Sequence, residues 1–173
     1  MLRSIVEDKR PLPPPAATEA EDEELLSHEP WVTAPLRADY GHNIHFGSNV
    51  YANFNCVFLD TCAIRIGSRT LIGPNVSFYA ATHPLDAAVR NGTEGPESGK
   101  EIWIGEDCWL GGGAIILAGV RLGRGVVVGA GSVVTKSVGG WRVIAGNPAR
   151  VIREIQSEWR KEEDMVVEEV GED

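Results

Sequence analysis

The chain lacks any run of 18 or more apolar residues, so the sequence offers no candidate membrane-spanning helix. Its opening stretch, MLRSIVEDKRPLPPP, has no apolar segment of the kind a secretory leader requires, and no export signal is expected. Cysteine is scarce: Cys56, Cys62 and Cys108 are an odd number and form no CxxC pair. The expected state is three reduced, structural thiols in the cytoplasm. Aromatic residues make up only 7%, and they do not gather with bases as a nucleic-acid-binding surface would require.

Positive charge is also short overall, with a formal net charge of −9, but its placement matters more than its sum. Residues 18–29 carry six acids and residues 162–173 carry seven, with no Lys or Arg in either stretch. Residues 30–161 hold 13 Lys/Arg against 10 Asp/Glu. The acidity therefore belongs to solvated ends, and a mildly basic body suits an anionic small ligand.

What the sequence has in quantity is glycine, 20 residues of it, and a repeat. Steps of six from Ile104 meet Leu110, Ile116, Leu122, Val128 and Val134, all bulky aliphatics. Glycine follows four of the six, at Gly105, Gly111, Gly123 and Gly129. Two residues before each aliphatic stand Ile102, Cys108, Ala114, Val120, Val126 and Ser132, all small or apolar. An earlier block repeats the habit through Phe46, Ala52 and Phe58, and then, after a shift of frame, Ile66, Ile72 and Phe78. Six residues are too few for an element that buries its own face. They suit a short strand and a turn whose aliphatic joins a column built by stacked coils. The period predicts an all-β solenoid, with glycine after the aliphatic to take turn geometry that a side chain would resist. A sandwich would show alternation and 8–12-residue spacing instead.

Outside the repeats, residues 1–17 are Pro-rich and give no apolar period. Thr18 followed by Glu21 predicts a capping box and a short helix over about 19–27. Apolar residues at 151, 152, 155 and 159 predict a helix over 152–165 that closes the end of the solenoid. The expected divisions are an N-terminal segment over 1–35, a solenoid over 36–150, and a helix with acidic tail over 151–173.

The stretches DYGHNIHFG (39–47), VYANFNCVFLD (50–60), ATHPLD (81–86), WLGGGAIILAGVRLGRGVVVGAGSVVTK (109–136) and IAGNPARVIREI (144–155) together resemble the maltose and galactoside O-acetyltransferases, which are hexapeptide-repeat acyltransferases. The resemblance spans about residues 36–156. It implies a left-handed parallel β-helix, a homotrimer with active sites between subunits, and acetyl-CoA as co-substrate. No metal, nucleic acid or membrane partner is implied.

His83, which precedes Pro84 where the period breaks, matches the family's catalytic histidine. An imidazole with an ordinary pKa of ~6.5 is suited to take a proton from an acceptor hydroxyl near neutral pH. Asn53 matches a position at the acceptor and thioester. Gly112 matches the amide that faces the thioester, where a backbone N–H can meet a developing oxyanion. Asp39 matches an acceptor contact, and Asp60 stands next to another. Ala130 matches the groove that lines the pantetheine arm. Thr135, Lys136, Arg150 and Arg153 match the residues that hold the adenosine phosphates, with Arg142 nearby.

Read without the resemblance, each of these residues has a plain role: Asn53 and Asp39 in turns, His83 exposed on a loop, the bases on a solvated surface. Two other functions have a foothold in the same fold class. Related β-helices include carbonic anhydrases that bind zinc through three histidines, but His42 and His45 fall on opposite faces of an extended strand and His28 lies in the acidic stretch. A non-catalytic trimeric scaffold would not need the THP and PARVIRE elements. The family's longer helical N-terminus is replaced here, and the loop after His83 is lengthened around GTEGPESG. Both changes fall on the acceptor side, which leaves open a sugar, another small alcohol or an amine.

Overall fold

A computed structural model describes residues 14–160. Helix α1 (Glu19–Leu26) begins at Thr18, whose side chain and that of Glu21 form the expected capping box. The chain then winds in coils of three short strands. The first coil is β1 (Trp31–Val32), β2 (Leu36–Ala38) and β3 (Ile44–Phe46). The second is β4 (Tyr51–Ala52), β5 (Cys56–Leu59) and β6 (Ile64–Ile66). The third starts with β7 (Leu71–Ile72) and β8 (Ser77–Tyr79). It leaves the solenoid through β9 (Ala81–Thr82), α2 (Ala87–Arg90) and β10 (Ser98–Gly99), and returns at β11 (Ile102–Ile104). The fourth is β12 (Trp109–Leu110), β13 (Ile115–Leu117) and β14 (Arg121–Leu122). After β15 (Val127–Val128) and β16 (Val133–Val134), the chain ends its winding in β17 (Arg142–Gly146) and β18 (Ala149–Glu154).

Successive strands fall in turn on three parallel sheets. Sheet 1 runs β1-β4-β7-β12-β15-β17, with β18 added antiparallel; sheet 2 runs β2-β5-β8-β13-β16; sheet 3 runs β3-β6-β11-β14. The result is a three-sided parallel β-solenoid. Its interior is built from the columns that the six-residue period picks out: Ile104, Leu110, Ile116, Leu122, Val128 and Val134 are all buried, and so are the residues two places before them. Phe58 and Phe78 stack inside at 4.7 Å. Each such side chain contributes ~1.5–3 kcal/mol by leaving water, and stacking makes the contribution continuous along the axis. The three cysteines are free, and burial pushes the Cys108 thiol up to about 11.

Glycine after the aliphatic has a different reason from the one expected. The left-handed turn residues, among them Asn49, Asn55, Arg69, Asn75, Asp107, Gly113, Gly125 and Gly131, stand two places further on. Gly67, Gly73, Gly105 and Gly111 instead sit where a Cβ would lie 2.5–2.7 Å from backbone atoms of the next coil. They are required by close stacking, not by φ. The helix expected over 152–165 is also corrected. Residues 149–154 are strand β18, paired with β17, and helical geometry begins only at 158. Sheet 1 offers an unpaired edge there, and apolar residues at 151 and 152 suit a strand against it as well as they suit a helix. The remainder of that expected helix lies outside the described residues. The ladder already begins at Trp31 and continues to Glu154, so it overlaps both expected flanking segments.

Candidate active site

The corner between sheets 1 and 2 carries a groove of about 490 Å³. Asn53, Gly112 and Ala130 line it, together with Tyr51, Leu71, Trp109 and Val127. The pairing register explains the second group. Tyr51, Leu71, Trp109, Val127 and Val143 stand opposite one another on successive strands of sheet 1, all outward, between inward Ala52, Ile72, Leu110, Val128 and Ile144.

Three polar groups point this groove at a carbonyl-bearing ligand. Gly111 N–H donates to Val128 O and Gly113 N–H to Pro74 O, but among the described residues the intervening Gly112 N–H has no backbone acceptor. Ala130 N–H, one coil further along, is likewise without one, although its neighbours Gly129 and Gly131 are paired. Consecutive coils repeat at ~4.8 Å, so the two amides form a short outward row of donors. Asn53 Oδ1 accepts from Phe54 N–H at 2.8 Å, which holds the amide at the turn and leaves its NH₂ donors uncommitted among the described residues. Asn53 thus serves the turn and presents donors at once.

Arg150 and Arg153 reach the outward face of the same sheet through an irregularity. Residues three apart on a regular strand face opposite ways. The register between β17 and β18 shifts at Val143/Ile144, so Arg150 stands opposite Ala145 and Arg153 opposite Val143. Both arginines then share the outward side, with Arg150 about three strand spacings (~14 Å) from Gly111. Arg142 pairs instead with Glu154 at 3.9 Å.

The other expected residues occupy a different corner. His83 is exposed on the excursion that leaves between sheets 2 and 3. Its surroundings are fixed by the β9–β10 pairing and by Arg90, whose guanidinium donates to Pro84 O and Leu85 O. Asp39, following β2, and Thr135 and Lys136, following β16, lie along this same corner, and all are exposed. One chain therefore gathers Asn53, Gly112, Ala130, Arg150 and Arg153 on one side, and His83, Asp39, Thr135 and Lys136 on another.

Asp60 is corrected. It is 0% exposed, and its carboxylate accepts from the N–H groups of Asp39, Tyr40, Gly41 and Asn43. It folds the loop that carries Asp39 and has no oxygen to offer an acceptor. Trp109, Tyr51 and Leu71 escaped the sequence reading. The signal that could have found them is a large apolar or aromatic residue one place before the inward aliphatic in three coils, on the outward register position of sheet 1. Among the described residues, no three His, Cys, Asp or Glu side chains gather to hold a metal ion, and no helix is long and apolar enough to cross a membrane.

Comparison with known proteins places this architecture. Residues 101–136 match the bacterial transferase hexapeptide (six repeats) family. The galactoside O-acetyltransferase of Escherichia coli is 43% identical over 129 residues, 72% of this chain and 61% of that protein. This chain spans little more than three fifths of the curated relatives it matches. A maltose O-acetyltransferase from Clostridium difficile is 39% identical with a TM-score of 0.73, covering 90% of this chain and 85% of that one. A hexapeptide-repeat acetyltransferase of Vibrio cholerae, crystallised with acetyl coenzyme A, is 32% identical with a TM-score of 0.72, covering 90% and 88%. The three-sided solenoid, the glycine-locked coils and these likenesses agree: the chain belongs to the hexapeptide-repeat acetyltransferases, the family of the maltose and galactoside O-acetyltransferases.

Proposed function

We propose that the chain is an acetyl-CoA-dependent O-acetyltransferase, acting on a hydroxyl of a sugar or another small alcohol. The observation that carries this reading is the division of the site residues between two corners. The groove corner has unpaired N–H groups for an acyl carbonyl and two arginines on the same sheet face. The other corner has the base. A second copy, set so that its sheet 2–3 corner meets the groove, completes the site, and the family's homotrimer provides that arrangement. The related Vibrio cholerae enzyme crystallised with acetyl coenzyme A supports the donor. Three free thiols suit the reducing cytoplasm.

In this site His83 takes the proton of the acceptor hydroxyl as its oxygen attacks the thioester carbonyl. Gly112 N–H and the Asn53 NH₂ stabilise the negative charge that develops on the carbonyl oxygen. The imidazolium then returns the proton to the departing thiolate of coenzyme A. Arg150, Arg153, Thr135 and Lys136 hold the phosphates at the far end, where forked guanidiniums suit such oxygens. Asp39 contacts the acceptor from the His83 side.

The test is His83→Ala, assayed by thiol release with acetyl-CoA and a panel of sugars, alcohols and amines. Turnover should fall about 100- to 10,000-fold, the range of a positioned base. Acetyl-CoA affinity and the trimer seen by light scattering should persist. A variant that keeps more than about a tenth of the rate, or a stable active monomer, would refute the assignment; activity abolished by a chelator would favour zinc chemistry.

A further inference from the structure

The outward face of sheet 3 carries a feature that the transferase reading does not use. The register stacks His45, Arg65, Trp103 and Arg121 into one outward column. The guanidinium carbons of Arg65 and Arg121 lie 5.2 and 5.3 Å from the Trp103 ring centroid, one from each neighbouring strand. Each such contact contributes ~0.5–1 kcal/mol at an exposed site, so the two cations are held in place, about two strand spacings (~10 Å) apart. Trp103 Nε1–H donates to Glu101 at 3.0 Å, which fixes the ring between them.

One carboxylate, that of Glu101, stands beside this column, and it is hydrogen-bonded to Trp103 rather than paired with either arginine. Among the described residues neither makes an ion pair, and Arg65 Nε is buried without a hydrogen-bond partner. Their counterparts at the corner between sheets 3 and 1 are committed: Arg69 to Glu106 and Asp107, and Arg124 to Asp107. Burial first and the charge of Arg65 second hold the pKa of His45 below its ordinary value, with Glu101 acting in the opposite sense. The column is a prepositioned cationic surface with an aromatic centre.

The described chain ends beside it. Trp159 lies over Arg69 and Arg124, with their guanidinium carbons 5.9 and 5.2 Å from its ring centroid. Arg69 is four residues beyond Arg65 along the same coil, and Arg124 is three beyond Arg121. Four residues of chain span at most ~13 Å, so the Trp159 ring lies over side chains whose backbone stands within that distance of Arg65 and Arg121. Residues 161–173 span up to ~43 Å when extended. Within them, residues 162–173 carry seven acids and no base. Tethering at such short range gives an effective concentration on the order of millimolar, enough for weak charge pairing to hold.

We propose that the acidic stretch 162–173 docks on the Arg65–Trp103–Arg121 column of its own chain. The stretch supplies the missing carboxylates and covers a face that would otherwise attract free polyanions. This docking does not depend on the transferase reading.

The test uses the full chain and a full-length variant in which Glu162, Glu163, Asp164, Glu168, Glu169, Glu172 and Asp173 are replaced by their amides. A fluorescently labelled peptide of residues 162–173 is titrated into each, with anisotropy as the readout. The neutralised chain should bind the peptide about tenfold more tightly than the wild-type chain, whose own stretch competes. Added salt should weaken the binding. Arg65→Gln with Arg121→Gln in the neutralised chain should weaken it by about tenfold, or ~1.4 kcal/mol. The indole N–H resonance of Trp103 should shift between the wild-type and neutralised chains. Equal binding to both chains, an unmoved Trp103 resonance, or binding lost on Arg150→Gln with Arg153→Gln but kept in the Arg65/Arg121 variant would overturn the proposal.

Discussion

Asp60→Asn separates a structural carboxylate from an acceptor-binding one. Its two oxygens receive four backbone N–H groups: Asp39 at 3.1 Å and Tyr40 at 2.8 Å on one, Gly41 at 2.8 Å and Asn43 at 3.2 Å on the other. An amide keeps one of those oxygens and turns an NH₂ toward the other pair, donor against donor. Asp39 N–H retains Phe58 O, so the loss falls mainly on one or two strong bonds in a site with 0% exposure. Each orphaned buried N–H costs ~1–3 kcal/mol, giving a total of about 2–4 kcal/mol. For a chain of this size that is a fall in melting temperature of roughly 5–15 °C. The assay is thermal unfolding followed by circular dichroism, beside steady-state kinetics at a temperature where the variant is folded. If Asp60 bound the acceptor instead, the melting temperature would stay put and the Michaelis constant for the acceptor would rise. That pattern would sink the reasoning.

Gly67→Ala should be severely destabilising or insoluble, because its Cβ would lie 2.5 Å from Gly105 C and Glu106 N, which are backbone and cannot yield. Gly131→Ala, at φ +68° with nothing near its Cβ, should cost only the ~1–2 kcal/mol of the left-handed conformation; similar melting shifts for the two would refute the stacking account. Gly112→Ala puts a methyl 3.3 Å from Pro74 inside the groove at unstrained φ, so thiol-release turnover should drop at least about tenfold while the melting temperature moves little. Arg69 first, then Arg124, hold the pKa of Asp107 below its usual value of 3.8 against an opposing effect of burial. The advantage of the wild type over Asp107→Asn in denaturant melts should therefore be full above that value and disappear as pH falls through the lower folded-state pKa. An advantage unchanged at the acid end would show that the charge is not what matters.

The interior was legible because a solenoid writes its core as a period. Ile104, Leu110, Ile116 and Val128 could be assigned inward from spacing alone, since every coil repeats the same inward vector. Individual roles were less legible where one residue type satisfies two demands. Glycine answers both a left-handed φ and a close backbone approach, and only the stacked structure shows that Gly105 does the second. Val151, Ile152 and Ile155 fit a helix face or a strand, and the free edge of β17 decided for the strand. The carboxylate of Asp60 turned inward because the loop after β2 had four donors to satisfy, a tertiary fact with no trace in LDT. Asn53, Gly112 and Ala130 were found by motif. That they share a groove with Trp109, apart from His83, follows from which corner each turn occupies, and a one-dimensional pattern does not number corners.

The corners also differ in tolerance. All four turns from sheet 3 to sheet 1 that join β3–β4, β6–β7, β11–β12 and β14–β15 have four residues, and those from sheet 1 to sheet 2 have three or four. Glycines pressed against the next coil line both corners, so an added residue there would push two layers apart. The segments from sheet 2 to sheet 3 run from three residues to the 22 of 80–101, and no such row of pressed glycines restrains them. Length can therefore change at one edge of the prism without disturbing its stacking. For protein engineering, this makes the edge that carries His83 the natural insertion point: randomised loops grafted within 84–97, which holds no buried residue, should leave the scaffold's melting behaviour intact, and libraries for new acceptors belong there.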